Sequence, residues 1–337
     1  MKIKLLYIGN KLSKHGNTQT SIETLGHFLE KEGYELFYAS SQKNKMIRML
    51  DMLITTIRFH KKVKYVLIDT YSTQNFWFAF FVSQLCRILG VKYITKLHGG
   101  DLPNRLKRSP NASDMIFKNA FKIIAPSDYL FHFFSEKYSK NLLFIANTVA
   151  IDHYPFFKRE EVEPKLFWLR SFSKIYNPKM AINVLHELKK EYPNAQLCMV
   201  GPDKENLIPD CVAYAKELNV EVEFTGKLSK KKWVQLSNKF SFFINTTNFD
   251  NTPVSVIEAM ALGMPVISTN VGGIPYLLED KKNALLVNIN DSSHMVESIK
   301  SLMIDAHLRS TIIDNARSLV EGFDWEIVKE KWFEILN

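Results

Sequence analysis

Three cysteines in 337 residues, Cys86, Cys198 and Cys211, form no CxxC pair and accompany no cluster of histidines. That scarcity excludes a disulfide framework and argues against a structural zinc site, so a reducing cytoplasm is the expected compartment. Thirteen glycines and twelve prolines are too few for a low-complexity or collagen-like chain. The longest apolar runs, at 3–9 and 76–82, fall far short of the roughly 20 residues that a spanning helix needs. The first turns of the chain carry Glu23 and Glu30 where a signal peptide would have an apolar core. No GxGxxG fingerprint is present, which disfavours a dinucleotide dehydrogenase. No DxD sequence is present either, so a metal-bound diphosphate is not suggested and no metal or other cofactor is expected.

What is present belongs to a globular chain. Hydrophobic residues make up 46% and charged residues 23%, which excludes wholesale disorder. The length suits two domains of about 150 residues. Charge is divided unevenly: residues 1–150 hold 22 Lys and Arg against 10 Asp and Glu, whereas residues 151–337 hold 22 against 25. A positive field confined to one half suits an anionic partner such as a phosphorylated small molecule or an anionic membrane. Nucleic acid is not expected, because no recognition motif accompanies the charge.

Short apolar runs alternate with amphipathic stretches from residue 2 onward. KIKLLYIG (2–9), YELFYA (34–39), VKYVLID (63–69), VKYITKLHG (91–99), FKIIAPS (121–127) and NLLFIAN (141–147) read as strands with helices between them. The rhythm stops in IDHYPFFKREEVEP and restarts at KLFWLRSF. The expectation is an α/β chain of two Rossmann-like domains facing across a cleft: 1–150, a linker at 151–164, a second domain at 165–322, and a C-terminal helix at 323–337 that returns to the first domain. In such sheets ligands bind at the carboxyl ends of the strands.

The most informative stretch is TNFDNTPVSVIEAMALGMPVISTNVGGIPY, residues 247–276. Thr252 stands where an N-cap would, Pro253 at the first helical position and Gly263 after the last turn, which predicts a helix from Pro253 to about Leu262. The helical period puts Glu258 on the apolar stripe, where a carboxylate needs hydrogen-bond donors such as a bound polyol. A glutamate satisfied by backbone or by an arginine is the competing reading. Asp250 lies in the loop before the same helix, whose free amides and dipole suit a phosphate.

This segment resembles the signature of retaining glycosyltransferases of family 4, with two acids spaced by seven residues, here Asp250 and Glu258. Pro253, the EAMALGMPVIST continuation and Gly272–Gly273 fit as well, and weaker echoes appear at KLHGGD (96–101), IANTVAID (145–152) and FDWE (323–326). The resemblance implies the GT-B fold and transfer of a hexose-type sugar from a nucleotide-diphosphate sugar, UDP favoured over GDP. The acceptor would be a glycan or lipid-linked sugar in surface polysaccharide or lipopolysaccharide synthesis. It implies that Glu258 holds the ribose hydroxyls and that Asp250, where the family usually has Glu, contacts the transferred sugar. The amides of the following loop, at Asn251, Thr252 and Val254, would receive the donor. Arg170 takes the diphosphate position at the end of a strand. The family's lysine six residues later is replaced by Tyr176, which leaves Lys174, Lys179 or the tyrosine hydroxyl to serve. His98 would contact the donor sugar, and the loop with Gly16 and Asn17 would offer amides to phosphate or acceptor.

Two readings remain for the basic, amphipathic stretch at 43–64: core packing, or peripheral docking on an anionic membrane at the inner face of the cell membrane. FWFAFF (76–81) reads as a helix buried all round. The rival functions are a two-lobed sugar-nucleotide epimerase, a phosphorylase, and a non-enzymatic sugar-binding protein.

Overall fold

Parallel strands connected by helices build two separate sheets in the computed structural model, which describes residues 2–12 and 20–337. The chain divides into a first unit, Met1–Thr148 with Trp325–Asn337, and a second, Val149–Asp324.

The strands of the first unit are β1 (Lys4–Ile8), β2 (Glu35–Ala39), β3 (Tyr65–Tyr71), β4 (Tyr93–His98), β5 (Lys122–Ala125) and β6 (Leu142–Phe144). They pair in the order β2-β1-β3-β4-β5-β6, all parallel. Its helices are α1 (Ser21–Lys31), α2 (Lys45–Phe59), α3 (Phe76–Ile88), α4 (Leu102–Arg108), α5 (Pro110–Phe117) and α6 (Asp128–Tyr138). Strands β3 and β4 are buried along nearly their whole length, as expected of parallel strands covered on both faces. One face carries α2, α3, α5 and α6 over a core that includes Ile68, Val82, Phe117 and Phe134.

The second unit repeats the plan with β7 (Lys165–Leu169), α7 (Pro178–Lys189), β8 (Gln196–Val200), α8 (Ile208–Glu217), β9 (Glu223–Gly226), α9 (Lys230–Ser237) and β10 (Phe242–Asn245). There follow α10 (Val254–Ala261), β11 (Val266–Thr269), β12 (Leu285–Val287), α11 (Ser292–Ile304) and α12 (Ala306–Glu321). The sheet order is β12-β11-β10-β7-β8-β9. The last helix, α13 (Trp325–Leu336), belongs to the first unit. There it closes the other face with α1: Trp325 stacks on Phe28, its ring centroid 4.9 Å away, and Trp332 is buried with Leu5 and Tyr7.

Three expectations are corrected. The segment 151–164 does not run free as a linker: it packs onto the second unit, with Tyr154 buried among α9 and α10 residues and the buried Arg159 hydrogen-bonded to Leu262 O and Phe157 O. Its prolines and charges mask two side chains that tie it down. The stretch 76–81 is helical but two-faced, because Phe76, Phe78 and Ala79 are buried whereas Trp77 and Phe81 are exposed. Helix α10 starts at Val254 with Pro253 as N-cap, one residue later than expected, so Thr252 lies outside it.

Candidate functional site

In each sheet the strand order reverses once, between β10 and β7 in the second unit and between β1 and β3 in the first. In sheets of this kind the carboxyl ends of the strands at such a reversal are the general position of ligand sites. Arg170 and Asp250 lie just after the two strands of the reversal in the second unit, β7 and β10, and His98 ends β4, a neighbour of β3 in the first sheet.

In the second unit β7 and β10 are paired neighbours, Leu166 opposite Phe242 and Phe167 opposite Phe243, so the residues that follow both strands emerge side by side. The loops are laced together by Asn248 N to Ile175 O at 2.7 Å and Thr246 Oγ1 to Tyr176 O at 2.9 Å. That brings Arg170, directly after β7, onto Asp250, and Nη2 of the arginine donates to Asp250 Oδ2. The guanidinium also lies 4.5 Å from the Tyr176 ring centroid. Tyr176 thus supports the arginine by its ring, at the position where the resemblance implies a lysine. Burial pulls the Arg170 pKa down to about 10, opposed by the charges of Tyr176 and Glu258; at neutral pH the side chain is a buried cation within the field of both acids.

Two glycines explain how the loops come so close. A Cβ on Gly273 would stand 2.1 Å from Asn251 O, and one on Gly272, at φ +60°, 2.4 Å from Asp250 O. Gly273 N hydrogen-bonds to Asp250 O at 2.7 Å. The paired glycines of the signature therefore press the backbone of the loop after β11 against the Asp250 loop, where no larger residue fits.

Glu258, on the second turn of α10, is 8% exposed. Its partners are neither backbone nor arginine. The Tyr154 hydroxyl donates to Oε1 at 2.6 Å and Lys230 Nζ lies 3.3 Å from the same oxygen. Lys230 also bonds to the Tyr154 hydroxyl and sits 4.8 Å from its ring centroid. Burial, then the Glu258 charge, raise the Tyr154 pKa far above the usual range, so the phenol stays a donor. Sequence reasoning singles out neither residue. Tyr154 hides in the expected linker, and Lys230 in the lysine run KLSKKKW at a helix start.

The first helix amides bonded inside α10 are those of Val256 and Ile257, both to Pro253 O. The amides of Val254 and Ser255 precede them and have no intrahelical partner among the described residues, while Val254's side chain is exposed. Two buried donors here have no hydrogen-bond partner among the described residues: Ser255 Oγ in that first turn, and Arg170 Nε. Asn251 and Thr252 lie in the same loop, half-buried. Lys174 and Lys179 are exposed, and no described contact joins either to Arg170 or Asp250. Lys179 instead extends over the Tyr214 ring of α8, 5.1 Å from its centroid.

In the first unit His98 ends β4, its Nε2 2.8 Å from Asp69 Oδ1. Asp69 is third from the end of β3 and is buried. Asp69 Oδ1 also accepts from Tyr7 OH at 3.1 Å, and Tyr71 stacks on the imidazole, centroids 4.9 Å apart. A carboxylate at Nε2 fixes the proton there, leaving Nδ1 of neutral His98 as an acceptor. Lys96, two residues earlier, is buried and bonds to Ser21 Oγ and, at 2.7 Å, to Asn147 Oδ1. Its pKa is pulled down to about 8 by burial, against the opposing charge of Asp69. Asp69 carries no motif, only its place toward the end of an apolar strand, and Lys96 opens the KLHGGD echo without a role of its own there. Gly16 and Asn17 lie outside the described residues.

The chain is similar to known glycosyltransferases. The family model of the glycosyl transferases group 1 matches residues 153–319, a span that contains Tyr154, Arg170, Lys230, Asp250 and Glu258. An uncharacterized glycosyltransferase of Haemophilus influenzae is 24% identical, the alignment covering 98% of both chains. An α-1,4-N-acetyl-D-galactosaminyltransferase of Campylobacter jejuni, whose acceptor is a diNAcBac-PP-undecaprenol glycan, is 21% identical over 65% of this chain and 60% of its own. Among solved structures, Anabaena HepE in complex with UDP and glucose superposes with a TM-score of 0.74 at 16% identity, covering 99% of each chain. The match to the glycosyl transferases group 1 thus spans residues 153–319, just under half of the chain, and the two Rossmann-like units accord with it.

Proposed function

We propose that the chain is a retaining hexosyltransferase that takes a sugar from a nucleotide-diphosphate donor, UDP-linked in preference to GDP-linked, and passes it to a glycan or lipid-linked acceptor in surface polysaccharide synthesis. The observation that carries this reading is the pair of buried donors that have no partner among the described residues, Arg170 Nε and Ser255 Oγ, in the segments that follow β7 and β10. Buried donors left unpaired cost about 1–3 kcal/mol each, a cost that an anionic oxygen removes. A diphosphate fits both, together with the amides of Val254 and Ser255 and the positive end of the α10 dipole.

On this reading Glu258 receives the ribose hydroxyls through the carboxylate oxygen that Tyr154 and Lys230 do not hold. Asp250 faces the transferred sugar while Arg170 shares its charge with the leaving phosphate. The glycosidic bond from C1 to the diphosphate oxygen breaks, the acceptor oxygen bonds to C1 on the same face, and the acceptor proton passes to the leaving phosphate. No enzyme nucleophile takes part. Arg170 and the helix end stabilise the charge that develops on the leaving group, and stabilisation of that kind commonly lowers the barrier more than any other single effect. His98 is assigned to the donor sugar by the resemblance, and its pairing with Asp69 supports an oriented, polar role.

Thermal-shift screening with UDP, GDP and their sugars tests donor choice. UDP and a UDP-hexose should raise the unfolding temperature and GDP should not; stabilisation by GDP alone reverses the donor assignment. Product analysis with a lipid-linked acceptor separates transfer from epimerisation, which needs no acceptor.

A further inference from the structure

Helix α2 of the first unit has two apolar faces. Arg48, Met52 and Thr56 are buried toward the sheet, with Met52 in the core and Met49 and Leu53 packed against it. Met46, Ile47, Leu50, Ile54 and Ile57 point the other way and are 75, 53, 57, 62 and 53% exposed. At about 100° per residue these five occupy an arc of about 100°, a continuous stripe where a solvent-facing helix normally carries charge. Helix α3 packs beside α2, tied to it by Lys45 Nζ to Gln74 Oε1 at 2.7 Å and by Arg48 over the Phe78 ring. Its own outward ridge, Trp77, Phe81 and Ile88, is 41, 49 and 81% exposed. Single exposed apolar residues need no explanation, but eight on adjoining helices form a patch of the kind that marks an interaction surface.

We propose that this face is a docking surface for an anionic phospholipid bilayer. The charge around it selects that occupant. Lys43 and Lys45 stand at one end of the stripe and Arg58, Lys61 and Lys62 at the other, all exposed, against one acid, Asp51, within residues 43–64. Apolar side chains inserted at the acyl boundary with cations at headgroup level are the design of an interfacial helix, and each cation adds to the attraction. A second copy of this chain is the poorer partner, because a two-fold contact would bring the two basic rims onto each other. The proposal does not depend on the sugar-transfer reading.

Flotation of the purified full chain with vesicles tests it. The protein should rise with phosphatidylcholine vesicles containing phosphatidylglycerol, should stay behind with phosphatidylcholine alone, and should be released by high salt. A triple variant, Ile47→Ser, Leu50→Ser and Ile54→Ser, touches no buried residue and should lose about tenfold or more in partitioning. Lys61→Glu with Lys62→Glu should lose a similar factor while keeping the apolar stripe. UDP binding by the same variants should be unchanged, which separates failure here from failure of the functional reading. Absence of flotation with anionic vesicles, or undiminished flotation of the triple variant, overturns the proposal. So does a solution dimer that the triple variant dissolves, since the face would then belong to a second copy.

Discussion

Tyr154 donates a 2.6 Å hydrogen bond to Glu258 Oε1. This contact joins a residue just inside the second unit to the acid of the signature, 104 positions later, and with Lys230 it sets the direction in which the carboxylate faces. Removing the hydroxyl leaves the acid buried with one fewer donor. Tyr154→Phe should therefore weaken UDP binding about fivefold, equivalent to about 1 kcal/mol for one hydrogen bond, whereas Glu258→Ala should abolish UDP-dependent stabilisation. Isothermal titration of both variants checks the order.

The Arg170–Asp250 pair makes a contrasting prediction. Both side chains are largely shielded from solvent, so Asp250→Ala leaves a buried guanidinium without its carboxylate and free to bind phosphate. UDP affinity should be kept or tightened while kcat falls by about a hundredfold or more. Arg170→Ala should lose affinity and turnover together, because charge stabilisation at the leaving group is removed. Steady-state kinetics with separate UDP binding distinguishes the two; equal losses of affinity in both variants would contradict the assigned roles.

Gly272→Ala probes how the Asp250 loop is held. The substitution meets a left-handed backbone and an oxygen 2.4 Å from the new Cβ. Stability should fall by at least about 1 kcal/mol, and turnover by about tenfold or more as the loop is displaced. Denaturant unfolding and kinetics on the same preparation measure both.

Lys96 gives a pH signature. Its folded pKa lies near 8, below the ordinary 10.5, so between these values the unfolded chain holds more protons than the folded one. Stability must then rise with pH from about 8 to 10.5, as the cost of burying the charge is relieved, by up to about 3 kcal/mol. Below pH 8 that cost is present in full. Lys96→Met should lack this rise, and the difference between the denaturation curves of the two proteins at about pH 7 and about pH 10 reads it directly. Parallel curves would show that Lys96 titrates normally.

Much of this is legible in the sequence. Apolar runs between amphipathic stretches locate the six strands of the first unit and the first strand of the second, most clearly where both faces of a parallel strand are buried, as in β3 and β4. Asp250 and Glu258 are legible because their spacing, Pro253 and the paired glycines all serve one loop-helix junction, and local geometry leaves a local record. Arg170 is placed by the end of its strand. Tyr154, Lys230, Asp69 and Lys96 are not legible, since each acquires its partner only when segments distant in sequence are brought together. The stripe on α2 is ambiguous for a different reason: helical periodicity shows that apolar residues share a face, not whether protein covers that face.

A crystal of this protein soaked with UDP gives the most direct test. The diphosphate should lie against Arg170, Ser255 Oγ and the first amides of α10, with the ribose hydroxyls on Glu258. A nucleotide bound elsewhere, with Arg170 Nε and Ser255 Oγ still unpaired, would contradict the assignment.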